Sequence, residues 1–155
     1  MLCSAKPTLG CVLALILAAC AGTSTHPQFV WHDVAIPQLR PGARIAFLQG
    51  DFATPGPLVF RLSLPPNYEF PAHYHDTDEE LIVVDGSLYL GGMDGRAMSR
   101  EAGMFHRAGA WHRLPAKTVH WAMTTDEPVI AEVRSTAPYA IHWLQDGAPD
   151  GKREQ

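Results

Sequence analysis

His73-Tyr74-His75 sets two imidazoles two residues apart, and in an extended segment side chains at that spacing leave the backbone on one face. Glu79 follows at the start of an apolar stretch and shares a face with Leu81 and Val83, while Glu80 shares the opposite face with Ile82 and Val84. His120 opens a later apolar stretch, and an antiparallel neighbour would carry it opposite the histidine pair. Three imidazoles and a carboxylate form a coordination set for one divalent transition metal. Such nitrogen and oxygen donors suit iron, manganese, zinc, nickel or copper better than calcium. Four protein ligands leave open positions on an octahedral ion and none on tetrahedral zinc, so turnover is easier to derive with iron or manganese. Glu80 is the alternative carboxylate if the register slips by one. The plainer alternative is a scatter of surface histidines beside the acidic loop 76–80.

Other polar residues have weaker grounds. His106 and His112 are placed to act as hydrogen-bonding partners of the ligands, or as strand-edge histidines. Arg61 interrupts an apolar stretch; facing inward it would hold an anionic substrate, facing outward it would meet solvent. Glu132 stands in the same way on a late strand. Tyr74 points away from its flanking histidines by parity, and Trp121 away from His120. Trp111 and Trp143 read as packing residues. Tyr139 and His142 receive no role. No nucleophile triad is present, and Gly91-Gly92 with Gly95 opens no helix, so it reads as a turn and not a phosphate loop.

The elements that must position these residues read as strands at 43–49, 58–64, 79–85, 87–90, 104–106, 112–114, 120–124, 129–134 and 139–144. Pro65-Pro66-Asn67 and Asp126-Glu127-Pro128 stop strands, and Asp85-Gly86 predicts a two-residue hairpin. Segment 97–102 is the nearest to a helix and is brief. Thirteen glycines and thirteen prolines in 155 residues speak for many turns. Short strands with this punctuation predict an all-β sandwich or barrel.

At 155 residues, 46% apolar and 18% charged, the chain has the length and composition of one globular domain. Its net charge of −4 argues against a nucleic-acid binder. Three cysteines are too few for a disulfide scaffold.

The first 19 residues read as an export signal: Lys6 with no acid, then a short apolar run from Leu9 to Ala19, too short to span a bilayer. Leu17-Ala18-Ala19-Cys20 resembles the lipobox of bacterial lipoproteins, in which the cysteine is lipidated and begins the mature chain. The resemblance implies a protein of the cell envelope, held at the periplasmic side by acyl chains on Cys20. Ala21, with no aspartate there, matches outer-membrane sorting where that membrane exists. The expected divisions are 1–19 signal, 20–38 lipidated cysteine and tether, 39–145 barrel, and 146–155 polar tail.

The histidine motifs resemble those of the cupin superfamily. His73-x-His75, three residues, Glu79, six residues and Gly86 match its first motif; Asn67 stands in place of the opening glycine. Gly109, Pro115 and His120 match its second motif, with Lys117 and Thr124 in place of a glycine and an asparagine. Asparagine tolerates a left-handed turn, and none of these departures touches a ligand. The motifs span 67–124. The resemblance implies a double-stranded β-helix, or jelly-roll barrel, with the metal inside and room for a small molecule. Pairing of two barrels is common in such proteins. It also implies three competing functions: a metal-dependent enzyme such as a dioxygenase or isomerase, a non-catalytic binder of a small ligand or metal, and an envelope protein whose metal merely fastens the barrel.

Overall fold

The computed structural model describes residues 29–144. The signal segment, Cys20, most of the tether and the tail 146–155 lie outside the described residues. The strands are β1 (His32–Asp33), β2 (Arg44–Gln49), β3 (Gly56–Leu64), β4 (Glu69–Tyr74), β5 (Glu79–Asp85), β6 (Ser87–Gly91), β7 (Met104–Arg107), β8 (Trp111–Leu114), β9 (His120–Thr124), β10 (Val129–Ala137) and β11 (His142–Trp143). They form a six-stranded sheet, β1-β2-β3-β10-β5-β8, and a five-stranded sheet, β11-β4-β9-β6-β7. Every pairing is antiparallel.

Past the β2–β3 hairpin the chain passes from sheet to sheet at nearly every turn, which makes the sandwich a jelly roll, as the cupin resemblance implies. The expected hairpin at Asp85-Gly86 is not formed. β5 pairs with β8 and β10, whereas β6 pairs with β7 and β9, so the dipeptide is a corner between sheets. Gly86 takes φ +76°, and a Cβ there would lie 2.1 Å from the carbonyl oxygen of Pro128. The glycine serves a crossing of two chain segments and not a two-residue reversal. The last expected strand, 139–144, shrinks to His142–Trp143, while β10 runs on to Ala137. The barrel also begins before residue 39: His32 and Asp33 pair with β2, and Val34 and Ile36 pack on the core.

The core lies between the sheets. Leu81 and Val83 of β5 meet Leu88 and Leu90 of β6 and Phe70 of β4 in one cluster. Ile45, Leu58, Phe60 and Val133 form a second toward the other end, with Tyr139. The alternation expected for β5 holds: Glu79, Leu81 and Val83 are buried, and their neighbours are more exposed. Trp121 is 1% exposed and lies outside this core, under the loop 92–103. Its ring passes so close to Gly91 and Gly92 that a Cβ would lie within 2.3 Å and 2.7 Å of it, respectively. This pair of glycines, expected to be only a turn, clears space for an indole.

Candidate metal centre

β4 and β9 are neighbours in the five-stranded sheet, and His73 stands directly across from His120. His75 follows on from β4, on the same face as His73. Glu79 enters from the six-stranded sheet, at the start of β5. All four are buried. Two left-handed turns shape the approach, at Asn67 (φ 50°) and Lys117 (φ 63°). Both are positions where the motifs would carry glycine, and the Lys117 amide donates to the carbonyl of His75 at 2.7 Å. The loop between β4 and β5 is pinned from outside: Asp78 accepts from Arg113 at 2.6 Å and from the Ala116 amide at 2.8 Å.

Each imidazole is oriented by a backbone carbonyl. His73 Nδ1 pairs with Pro71 O at 2.7 Å, His75 Nδ1 with Ala140 O at 2.7 Å, and His120 Nδ1 with Thr118 O at 3.0 Å. A carbonyl can only accept, so each Nδ1 carries the proton and each Nε2 is turned to the cavity. This is how metal-ligating histidines are usually held. One ligand nitrogen from each of the three rings lies within 4.8 Å of the others.

Protonation favours the same arrangement. Burial pushes the His73 ring well below its ordinary value, and the neighbouring His120 and His75 push it further. Burial also lowers His120, against the pull of Glu79. Burial alone would raise the Glu79 carboxyl, but the His75 hydrogen bond, the His120 and His75 charges and the Tyr139 hydroxyl bring it down to about 2. His75 Nε2 lies 3.1 Å from Glu79 Oε2, and His120 Nε2 lies 3.9 Å from Glu79 Oε1. The Nε2 lone pairs and the carboxylate oxygens thus converge on one point, and this nitrogen and oxygen donor set fits a divalent metal.

The metal-free barrel should lose stability in acid. The unfolded chain protonates His73 and His120 near pH 6.5, while the folded chain resists, so the unfolded state binds more protons as pH falls below that value. Each such histidine contributes a slope of up to about 1.4 kcal/mol per pH unit. Glu79 adds a loss of the same sign as pH falls through 4.5 toward 2. The Tm of chelator-treated protein, followed from pH 7.5 to 5, checks this; a flat profile contradicts it.

The four residues line a cavity of about 240 Å³ between the sheets. Tyr139, which sequence reasoning left without a role, completes the polar end. Its hydroxyl donates to Glu79 Oε2 and lies 3.0 Å from His75 Nε2, and its ring stacks on His75 at 4.2 Å. Burial and the Glu79 charge raise its pKa well above the ordinary value, so it keeps its proton. No local spacing connects Tyr139 to the motif; it arrives from the segment after β10, which only the closed barrel brings there.

Arg61 does not face the cavity. Phe60, Leu62 and Leu64 line it, and Arg61 lies on the outer face of β3. There it donates twice to Glu132 Oε2 at 3.0 Å, while Arg134 donates to Oε1 at 2.9 and 2.7 Å. Glu132 is likewise outside. The even-numbered apolar residues of 58–64 carried this signal, since parity sets Arg61 against them. His106 and His112 stand on β7 and β8, with ring centroids 5.4 Å apart, and neither lines the cavity. His106 Nδ1 donates to Met104 O at 3.0 Å. Glu80 is paired in register with Arg134 on the outer face. Tyr74 points away from the site, as expected, and stacks on His142 with centroids 4.7 Å apart.

A family model described as "Domain of unknown function (DUF4437)" matches residues 23–142. No curated protein matches the chain. Among solved structures, it is similar to the polyketide cyclase RemF from Streptomyces resistomycificus, at 18% identity and TM-score 0.62, over 77% of this chain and 83% of that one. It is similar to the DMSP lyase DddQ from Ruegeria pomeroyi DSS-3, at 19% identity and TM-score 0.60, over 80% of this chain and 64% of that one. A RmlC-like cupin from Shewanella frigidimarina NCIMB 400 aligns at 16% identity and TM-score 0.52, over 68% of this chain and 82% of that one. These likenesses show the cupin fold, a double-stranded β-helix, and inside it the buried cluster of His73, His75 and His120 is suited to a divalent metal.

Proposed function

Because the chain belongs to the family described as a domain of unknown function (DUF4437), a description that names no reaction, we propose its function from the site: a metal-dependent enzyme for a small molecule, of the dioxygenase or isomerase type. The observation that carries this is the set of three carbonyl-oriented imidazoles converging with the Glu79 carboxylate at the polar end of an otherwise apolar cavity. His73, His75, His120 and Glu79 would hold the ion, which supplies Lewis-acid or redox chemistry when bound. His73 and His120 are kept neutral and ready to ligate. Glu79 keeps one oxygen on Tyr139, which fixes the rotation of its carboxylate. Tyr139 holds the one hydroxyl among the described residues that line the cavity; its proton is held by Glu79, and its oxygen is left to accept a hydrogen bond from a bound molecule. The surrounding apolar wall excludes water from the charged end.

Metal content by mass spectrometry tests the first step, on protein purified without a metal-binding tag or chelator. Near one equivalent of iron, manganese, nickel or copper is expected, and Glu79→Ala should lower it. No metal after reconstitution would refute the reading. Oxygen uptake over a panel of catechols and diketones then separates dioxygenase from isomerase, and tight ligand retention without turnover would make the protein a binder instead.

We further place the protein in the cell envelope, anchored through Cys20, on the strength of Leu17-Ala18-Ala19-Cys20 and the apolar run before it. Cys20→Ala should abolish lipid labelling and release the protein from membranes; retained labelling would refute the anchor.

A further inference from the structure

Resting on that reading of the metal centre, we infer that the molecule bound beside the metal is a neutral, predominantly apolar compound, a substituted ring or branched chain with one small polar end, and not a sugar, a phosphate or a carboxylic acid. The wall carries this. Apart from His73, His75, Glu79, His120 and Tyr139, every side chain lining the cavity is aliphatic or phenylalanine. Among the described residues, no lysine, arginine, amide, serine or threonine lines it. The entrance is no more polar: Val34, Ile36, Phe52 and Ile141 line the cavity and remain partly exposed.

A ligand anion would leave water for a space whose only charged protein group is itself a carboxylate, Glu79. Its desolvation would go uncompensated away from the metal, and Coulomb repulsion would add to that. The one arginine that interrupts a lining strand, Arg61, is turned outward and held by Glu132. A hydroxyl-rich ligand would likewise lose hydrogen bonds to water and find only Tyr139 and the metal to replace them. An apolar ligand loses nothing, because the wall is what it prefers to water. Size narrows the class. A dry, apolar cavity of about 150 Å³ can hold benzene. A cavity of about 240 Å³ admits a ring with a substituent, or a branched chain of similar bulk.

Matched probes separate the tail from the metal contact. Imidazole, 4-phenylimidazole and imidazole-4-acetate offer a metal the same donor with no tail, an apolar tail and an anionic tail. By calorimetry on the metal-loaded full chain, 4-phenylimidazole should bind at least tenfold tighter than imidazole, with a negative heat-capacity change. Imidazole-4-acetate should bind more weakly than imidazole. An acetate probe that equals or exceeds the phenyl probe would overturn the inference.

Indole and indole-3-carboxylate, titrated into chelator-treated protein, keep this result independent of the metal. Indole should bind and its carboxylate should not; the reverse order would overturn the apolar class. Absence of metal in the reconstituted protein would overturn the metal-centre reading and leave the indole pair to decide this one.

Discussion

Replacing His120 by alanine should remove the metal and with it the thermal stabilisation that the metal brings. The three imidazoles and Glu79 converge only in the folded barrel, since their strands belong to both sheets. A metal bound by the folded state alone stabilises it by mass action, by about 4 kcal/mol at a thousandfold excess over Kd. For a domain of this length that raises Tm on the order of 15 °C. His120→Ala should lose most of this increment while its metal-free Tm moves much less. The ring faces a cavity, and its loss relieves burial of a polar group beside two like rings. Melting curves with and without added metal, on both proteins, provide the comparison. An equal metal-induced rise in the variant would remove His120 from the centre.

Trp121→Ala should cost about 3–5 kcal/mol, the range for deleting a buried aromatic. The indole lies on the face of β9 opposite His120, and its Nε1 donates to Arg96 O at 3.3 Å. It fills the space between the five-stranded sheet and the loop 92–103, walled by Gly91, Gly92 and Gly103. The complementary change is Gly91→Ala, whose Cβ would lie 2.3 Å from Trp121 Cζ2. Overpacking of that kind should cost about 1–3 kcal/mol. Urea unfolding with saturating metal measures both, and metal stoichiometry should stay at the wild-type value because neither change touches a ligand. A loss of less than about 1 kcal/mol for Trp121→Ala would mean that the loop's packing over the sheet does not contribute as derived.

Most strand positions and the three histidine donors were legible because both are local, whereas β4, which carries His73, was read only as an extended segment at 73–75, and β1 as tether. Side-chain parity has a period of two, so the same-face relation of His73 and His75, and that of Glu79 with Leu81 and Val83, follows from an extended backbone alone. Stops such as Pro65-Pro66 are written in backbone preferences. Asn67 could be read as a tolerable replacement for glycine, and it does take the left-handed turn. The second motif was harder to read because Lys117 adopts a conformation its side chain does not advertise.

What the sequence by itself determined is therefore the inventory: an all-β chain, the residues able to ligate a metal, and which of them share a face within a segment. Only the tertiary structure decided which segments meet. Asp85-Gly86 carries the signature of a hairpin, yet β5 and β6 bury their apolar faces best in opposite sheets, and the dipeptide became a corner. Tyr139 reaches Glu79 across 60 residues of sequence, through contacts that no local pattern encodes. Arg61 is sent outward because the wall takes Phe60, Leu62 and Leu64, and its partner Glu132 comes from a neighbouring strand whose pairing is long-range. The physical reason is common to all three. Backbone preference and parity act over a few residues, whereas the choice of inward face and of neighbouring strand is made by burial of apolar surface summed over the whole barrel.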